Sequence, residues 1–379
     1  MKAPFLSLPL MIITTSATLL TPVRSEESDK LNVPDEIRAA VFTISTDKGR
    51  GTGFACNYRD QEFIATNLHV VNGTKAPVIR SQGGFTIPLQ GRVIVANDAD
   101  VCLLSVGKPF SDFGIVPLEL ASNVQKDTSP GDDVYCLGNS LGNGVVIQSD
   151  GKLKGYGGQR LETTARFVGG NSGGPLIDLQ SGKVIGLVTE TQDNTAMIKQ
   201  EGKRLAKAIE SDESEVEEVA FFAHRVDTVQ QWSGTTIQNL LAVQEALEKH
   251  TTSFMNTFKF LADAPGWKSD QDLYRTWTDY QKFMDDAAAR TSSSVRRTNY
   301  IDEYGNIVHT SVKVRSKSVS QADYDAAWDK FQRRLEWRAS SDVNALQKLK
   351  PLGYIQKADH KIALENAKWV QEQVARFTK

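Results

Sequence analysis

The sequence is poor in cysteine. Three residues in 379, Cys56, Cys102 and Cys136, are too few for a disulfide scaffold, and the odd count leaves at least one unpaired within the chain. No CxxC and no Cys/His cluster is present, so neither cysteine catalysis nor a metal centre is indicated, and no cofactor motif stands out. Cys102 in VCLLSV and Cys136 in VYCLG sit in apolar, strand-like runs and read as small buried hydrophobes. An excess of charge is also missing. A formal net charge of −2 supplies no basic field of the kind that binds nucleic acid. Beyond the N-terminus no run reaches the ~18 apolar residues of a membrane span. No internal repeat stands out. What remains, 40% hydrophobic and 24% charged residues, is a soluble globular composition with length enough for two domains.

The N-terminus departs from that texture. Met1-Lys2 is followed by the uncharged APFLSLPLMIITTSATLL and then by the polar TPVRSEESDK. A basic start, an apolar stretch and a small-residue site make a secretory signal, with cleavage expected after Ser25. The expectation is export, to a periplasm or the exterior, with no stable membrane insertion once the signal is removed; an uncleaved anchor is the alternative.

Residues 38 to 232 are rich in short β-branched runs such as AAVFTIST, GTGFACNY, EFIATNLHVV, DVCLLSVG and KVIGLVTE. Gly, Asn and Asp separate them, as in barrels and sandwiches. A charged, helix-capable insertion at 195 to 218 interrupts the series. Past residue 232 the period changes. Ile237, Leu240, Leu247, Phe254, Phe258 and Leu261 fall at helical spacing, close to a heptad. Leu273, Trp277, Tyr280 and Met284 form another stripe, as do Trp328, Phe331 and Leu335, and Val370, Val374 and Phe377. Ser320-Gln-Ala-Asp323 has the form of a capping box, and TNYIDEYGNIVHTSVKV alternates around a Gly-Asn turn as a β-hairpin would.

Four glycines surround Ser172 in GGNSGGPLID. Glycine permits positive φ and close approach to the backbone, which suits a loop whose N–H groups converge, and suits an ordinary turn equally well. A serine hydroxyl needs a base and an orienting group before it becomes a nucleophile. His69, ending the apolar strand FIATNLHVV, is the candidate base, although a lone histidine there is more often structural. Asp98 and Asp100 both precede the strand VCLLSV; Asp98 reads as a surface turn acid.

TNLHVV, DVCLLSV and GNSGGPL, in that order, resemble the chymotrypsin-fold serine proteases and specifically the HtrA-type branch; LGNSLG at 137 to 142 adds to the likeness, which covers roughly 38 to 230. The resemblance implies an all-β double six-stranded barrel, and the helical spacing past residue 232 adds a mainly α-helical C-terminal domain with a candidate β-hairpin. The chain is expected to divide into a signal at 1–25, a protease domain at 26–232 and a helical domain at 233–379. The resemblance casts Ser172 as nucleophile, His69 as general base, Asp100 as the residue that orients the imidazole, and the backbone N–H groups of Gly170 and Ser172 as an oxyanion hole. It also implies that Val188, Thr189, Glu190 and Thr191 offer a strand edge to an extended polypeptide substrate. Asn171 stands where digestive relatives have Asp, so no ion pair with a freshly cut N-terminus is available and no activating cut is expected.

The chain departs from the familiar HtrA architecture in having no recognisable PDZ domain, so gating and assembly through such a domain do not carry over. The helical tail is a plain bundle, a module for self- or partner association, or a gate. Arg166, six residues before Ser172, either lines the specificity pocket and favours acidic side chains or faces solvent. Asn72-Gly73-Thr74 has the N-glycosylation pattern. The functional expectation is a serine endopeptidase working through an acyl-enzyme. Its alternative is a catalytically silent protease fold whose helical tail mediates protein interaction.

Overall fold

The computed structural model describes residues 33–189, 221–289, 299–301, 307–309 and 319–378. The expected signal and the charged insertion lie outside the described residues. Two β units come first. Strands β1 (Val41–Ser45), β2 (Arg50–Tyr58), β3 (Gln61–Thr66), β4 (Val78–Ser81), β5 (Thr86–Ile87), β6 (Leu89–Ala96) and β7 (Cys102–Val106) form one sheet with β14 (Trp232–Thr236), in the order β14-β6-β7-β3-β2-β1-β4-β5. Only Pro88 separates β5 from β6. Proline lacks an N–H and so breaks a ladder. The two strands are halves of one bent strand that pairs with β4 on one stretch and β7 on the other, which curls six strand positions into a barrel. β14 is an addition on the outer side of β6, in the register Trp232↔Ala96 to Thr236↔Arg92.

The second unit is a closed six-stranded barrel. It runs β10-β13-β12-β11-β8-β9, from β8 (Asp133–Gly138), β9 (Ile147–Tyr156), β10 (Arg160–Thr163), β11 (Pro175–Asp178), β12 (Val184–Val188) and β13 (Phe221–Arg225). The double barrel with a helical C-terminal region is therefore as the sequence predicts. β11 and β12 are buried along their whole length, and apart from Asp178 their side chains are apolar on both faces. The apolar core of the first barrel continues into Tyr135, Leu137, Ile177, Val184 and Leu187 of the second, so the two units share a packed seam.

Two short helices of the β region, α1 (Asp35–Ala39) and α2 (Leu68–Val71), flank the first sheet, and α3 (Val124–Asp127) lies between the barrels in sequence. After β14 the chain enters four long helices: α4 (Ile237–Leu261), α5 (Gln271–Ala289), α6 (Gln321–Lys348) and α7 (Gly353–Phe377). Thr236 caps α4 by accepting from Asn239 N, and the Ser320–Asp323 capping box opens α6. The residues of the expected hairpin pair antiparallel as β15 (Asn299–Ile301) and β16 (Ile307–His309).

The apolar stripes read from the sequence meet in a core of their own, with Leu247, Phe254, Leu261, Leu273, Tyr280, Phe331, Leu335, Val370 and Val374 buried together. From Leu247 onward the heptad-like seam of α4 is thus used inside its own bundle. Two helices belong to both cores. Ile237 and Leu240, in the first turns of α4, are buried in the β core, and Leu352 and Ile355 at the start of α7 pack against it.

Phe260 sits at the centre of the helical core, with Trp267, Trp277, Phe331 and Phe377 at ring-centroid distances of 5.1, 5.2, 5.7 and 6.3 Å. Phe260→Ala removes a buried ring from four aromatic partners. It should lower the stability of the helical region by about 3–5 kcal/mol, read as a shift in the urea midpoint at unchanged m-value.

Candidate active site

Adjacent strands bring the first two candidate residues together. β3 and β7 pair antiparallel with Thr66 opposite Cys102, so the residues just after β3 face those just before β7. Asn67 begins the turn α2, which carries His69, and Asp100 precedes β7. The carboxylate of Asp100, 5% exposed, is 2.5 Å from His69 Nδ1 and accepts the His69 backbone N–H at 3.0 Å. Asn67 Nδ2 donates to the Asp100 carbonyl at 2.6 Å. Burial alone would raise the Asp100 carboxyl. The hydrogen bond and charge of His69, its backbone N–H and the more distant His224 outweigh that, and hold the group below the ordinary carboxylate value. The stabilisation this gives is complete above the unfolded pKa, ~3.9, and is lost as pH falls through the lower folded value.

Asp98 takes no part. It accepts from Gln230 N at 3.3 Å, as a turn acid does.

The serine loop is seated on the same strands. Ser172 O accepts from Thr52 N at 2.9 Å, and Gly170 O accepts from Thr52 Oγ1 at 2.7 Å. Gly173 has φ +86, and a Cβ there would stand 2.2 Å from Thr52 O, 2.3 Å from Thr66 Oγ1 and 3.0 Å from Asn67 N. Only glycine fits against the residues that lead into the histidine turn. Gly51 makes the other close approach: a Cβ on it would lie 2.7 Å from Val70 Cγ1 and 3.2 Å from Ser172 O. Gly170 also takes a positive φ of +95. Among the described residues, the N–H groups of Gly170 and Ser172 donate to no acceptor. The Ser172 hydroxyl likewise has no hydrogen bond to a described residue, and contacts between nucleophile and base commonly tighten only around bound substrate.

Asn171 is buried, and its Oδ1 accepts from Ser140 Oγ at 2.9 Å. Its partner is a neutral hydroxyl. Arg166 is exposed.

Val188 ends β12. Its N–H donates to Gly174 O at 2.9 Å and its carbonyl accepts from Gly173 N at 2.8 Å, so both backbone groups already have partners in the serine loop. Thr189 is buried with its Oγ1 3.5 Å from Asp100 Oδ2, at the limit of a hydrogen bond. Glu190 and Thr191 lie outside the described residues.

Sequence reasoning passed over three residues here. Thr52, fully buried, is a hub: besides its bonds to the serine loop it accepts from Asn139 N at 2.8 Å and from Thr66 Oγ1 at 2.7 Å. Asn67 is the second. The third is His224, 7% exposed on β13, whose imidazole burial holds below its ordinary value and whose Nδ1 has no partner among the described residues. Asn67 stands inside the TNLHVV motif and the other two in none; the bonds that make Thr52 and Asn67 matter reach partners distant in sequence.

All three cysteines are buried free thiols, and burial pushes Cys56 up to about 12 and raises Cys102 and Cys136 as well. Among the described residues no group of three His, Cys, Asp or Glu side chains is placed to hold a metal, and no helix is long and apolar enough to cross a membrane.

Residues 51–187 match the family model of the trypsin-like peptidase domain. Over 169 residues the chain is 28% identical to Protease Do-like 1, chloroplastic, of Arabidopsis thaliana; the match covers 40% of this chain and 36% of that protein. Among solved structures, an inactive form of Rv3671c from M. tuberculosis shares 20% identity, with 52% of this chain and 85% of that chain covered and a TM-score of 0.37. The serine endoprotease from Yersinia pestis shares 21%, with 46% and 68% covered and a TM-score of 0.35.

Thr52→Val keeps the shape of the hub while stranding the buried Asn139 N–H and the Gly170 carbonyl. It should cost about 1–3 kcal/mol, measured by urea unfolding, and loosen the serine loop, measured as faster amide exchange across 169–174.

Proposed function

We propose, for a chain whose residues 51–187 form a trypsin-like peptidase domain, that it is an exported serine endopeptidase acting through an acyl-enzyme. The observation that carries this reading is the His69–Asp100 pair held at 2.5 Å beside a glycine loop whose Gly170 and Ser172 N–H groups have no acceptor among the described residues. No candidate residue of the triad is missing, which disfavours the silent-fold alternative. Export rests on the signal-like pattern of residues 1–25.

In this reading Ser172 Oγ attacks the scissile carbonyl carbon while its proton passes to His69 Nε2. The carbonyl oxygen becomes negative and is received by the two free N–H groups; losing one such donor typically costs ~10²–10³ in rate. The tetrahedral adduct collapses, the C–N bond breaks, and the proton on His69 goes to the leaving amine. Water then repeats the sequence on the ester and releases the acid and Ser172. Asp100 keeps the imidazole in the tautomer with Nδ1–H and balances its charge once protonated. Its depressed pKa keeps it ionised throughout. An extended polypeptide would find no unpaired ladder group on Val188, so strand addition would begin at Thr189 and continue through Glu190 and Thr191. The bond between Asn171 and Ser140 supports activity without a further activating cut.

A fluorophosphonate probe should label the protein lacking residues 1–25 and should not label Ser172→Ala; absence of labelling in the parent, where a control protease reacts, would falsify the reading. The base must start neutral, so the labelling rate should climb as pH rises from about 5 to about 8. A rate flat from about pH 5 to 8 would count against His69 as the base.

A further inference from the structure

The turn that carries His69 has two ends. Its N-terminal end is held by Asp100, through Asn67 Nδ2 and His69 N. Its C-terminal end is held by the helical domain. Asn72, which closes the turn, is 9% exposed, and both atoms of its amide are engaged by helices. Asn72 Nδ2 donates to Gln244 Oε1 of α4 at 2.9 Å, and Asn72 Oδ1 accepts from Gln356 Nε2 of α7 at 2.7 Å. Gln356 is fully buried, and all its capacity is directed at this junction: Nε2 also donates to Leu240 O of α4 at 2.8 Å, and Oε1 accepts from Leu352 N at 3.0 Å.

The packing around these bonds is equally close. Gly353, at the start of α7, has φ +67, and a Cβ there would stand 2.5 Å from Leu68 Cδ2 and 3.1 Å from Val95 Cβ. Leu68 is the residue before His69 and is fully buried. A Cβ on Gly73, just after Asn72, would meet Gln244 Cγ at 2.5 Å. Leu68, just before the base, is therefore packed against the helical domain, and Asn72, three positions after it, is bonded to it. The same bonds remove Asn72 from the surface, which argues against its use as a glycan acceptor.

We infer that Gln356 is a positioning residue for His69: through Asn72 and α4 it sets the C-terminal end of the turn that presents the imidazole to Ser172. The inference rests on His69 being the catalytic base. A buried side-chain amide with three directed bonds fixes the register between two bodies more sharply than an apolar contact of the same size. A displacement of about 1 Å at a catalytic group costs up to ~100-fold in rate. The bundle is thereby part of the machinery that aims the base.

The test compares the full chain lacking residues 1–25 with its Gln356→Glu and Phe260→Ala variants, at a temperature where circular dichroism shows all three folded. Gln356→Glu is isosteric and keeps the acceptor for Leu352 N, but it faces Asn72 Oδ1 and Leu240 O with an oxygen. Phe260→Ala weakens the bundle without touching the turn. In Gln356→Glu the fluorophosphonate labelling rate and kcat on an unfolded protein substrate should drop about tenfold, with KM held within about twofold. The imidazole resonances of His69 should move, while those of His250, within the bundle, stay in place. An unchanged His69 spectrum with an unchanged labelling rate would overturn the inference. So would an equal loss in Phe260→Ala, which would make the effect one of general stability. The spectroscopic arm needs no turnover. If the parent itself fails to label, the protease reading falls, while a shift of His69 still upholds the contact and a static spectrum ends it.

Discussion

A carboxylate taken out of water must be met by donors or it will not stay charged. Asp100 is in that position, and the way it is met organises the site. Its two oxygens face the ring and the backbone of one residue, His69, and its carbonyl takes the amide of Asn67. The acid therefore fixes both the tautomer of the imidazole and the start of the turn that carries it. The antiparallel pairing of Gln61–Thr66 with Cys102–Val106 makes the meeting unavoidable, because the residue after one strand lies beside the residue before the other.

The serine loop obeys a different constraint, which is steric. It is pressed so closely against Thr52, Thr66 and Asn67 that Gly173 has no room for a side chain, while Gly170 and Gly173 both take positive φ. This explains the glycines that surround Ser172: one lets the loop approach the histidine strand, and another lets a peptide N–H turn away from internal acceptors. Thr52 joins the two constraints. The hydroxyl, N–H and carbonyl of this one residue connect the serine loop, the 139–144 turn and the end of the histidine strand.

Much of this was legible in the sequence because the relevant signals are local. β-branched runs between Gly, Asn and Asp marked the strands, and helical spacing from Ile237 onward marked the bundle. The three short motifs carried His69, Asp100 and Ser172 in order. What stayed hidden depends on partners far away in the chain. Asn72 read as a glycosylation pattern because its neighbours are Gly73 and Thr74. Its partners, Gln244 and Gln356, lie 172 and 284 residues on. Thr52 looked like one more strand threonine. Val188 looked like an available edge until the serine loop was seen bonded to both of its backbone groups. The seam in the helix that begins at Ile237 is likewise filled from within, by the β core at Ile237 and Leu240 and by the protein's own helices from Leu247 onward.

A bundle that follows a barrel is either a separate module or part of the same body. A separate binding module would be free to pivot, with its core closed off and a thin, wet junction to the barrel. Here the helices that begin at Ile237 and Gly353 each start in the β core and finish in the helical one. Tilting either about its junction would pull apolar groups out of both cores, and tilting the second would also break the bonds of a fully buried glutamine. Such a junction transmits force. The element it touches is the turn opposite the Asp100 contact, so the imidazole is held from two sides by parts of the chain that fold around different cores. A disturbance in the bundle thus has a short path to the ring, through Gln356, Asn72 and the two residues between Asn72 and the acid-bound histidine backbone.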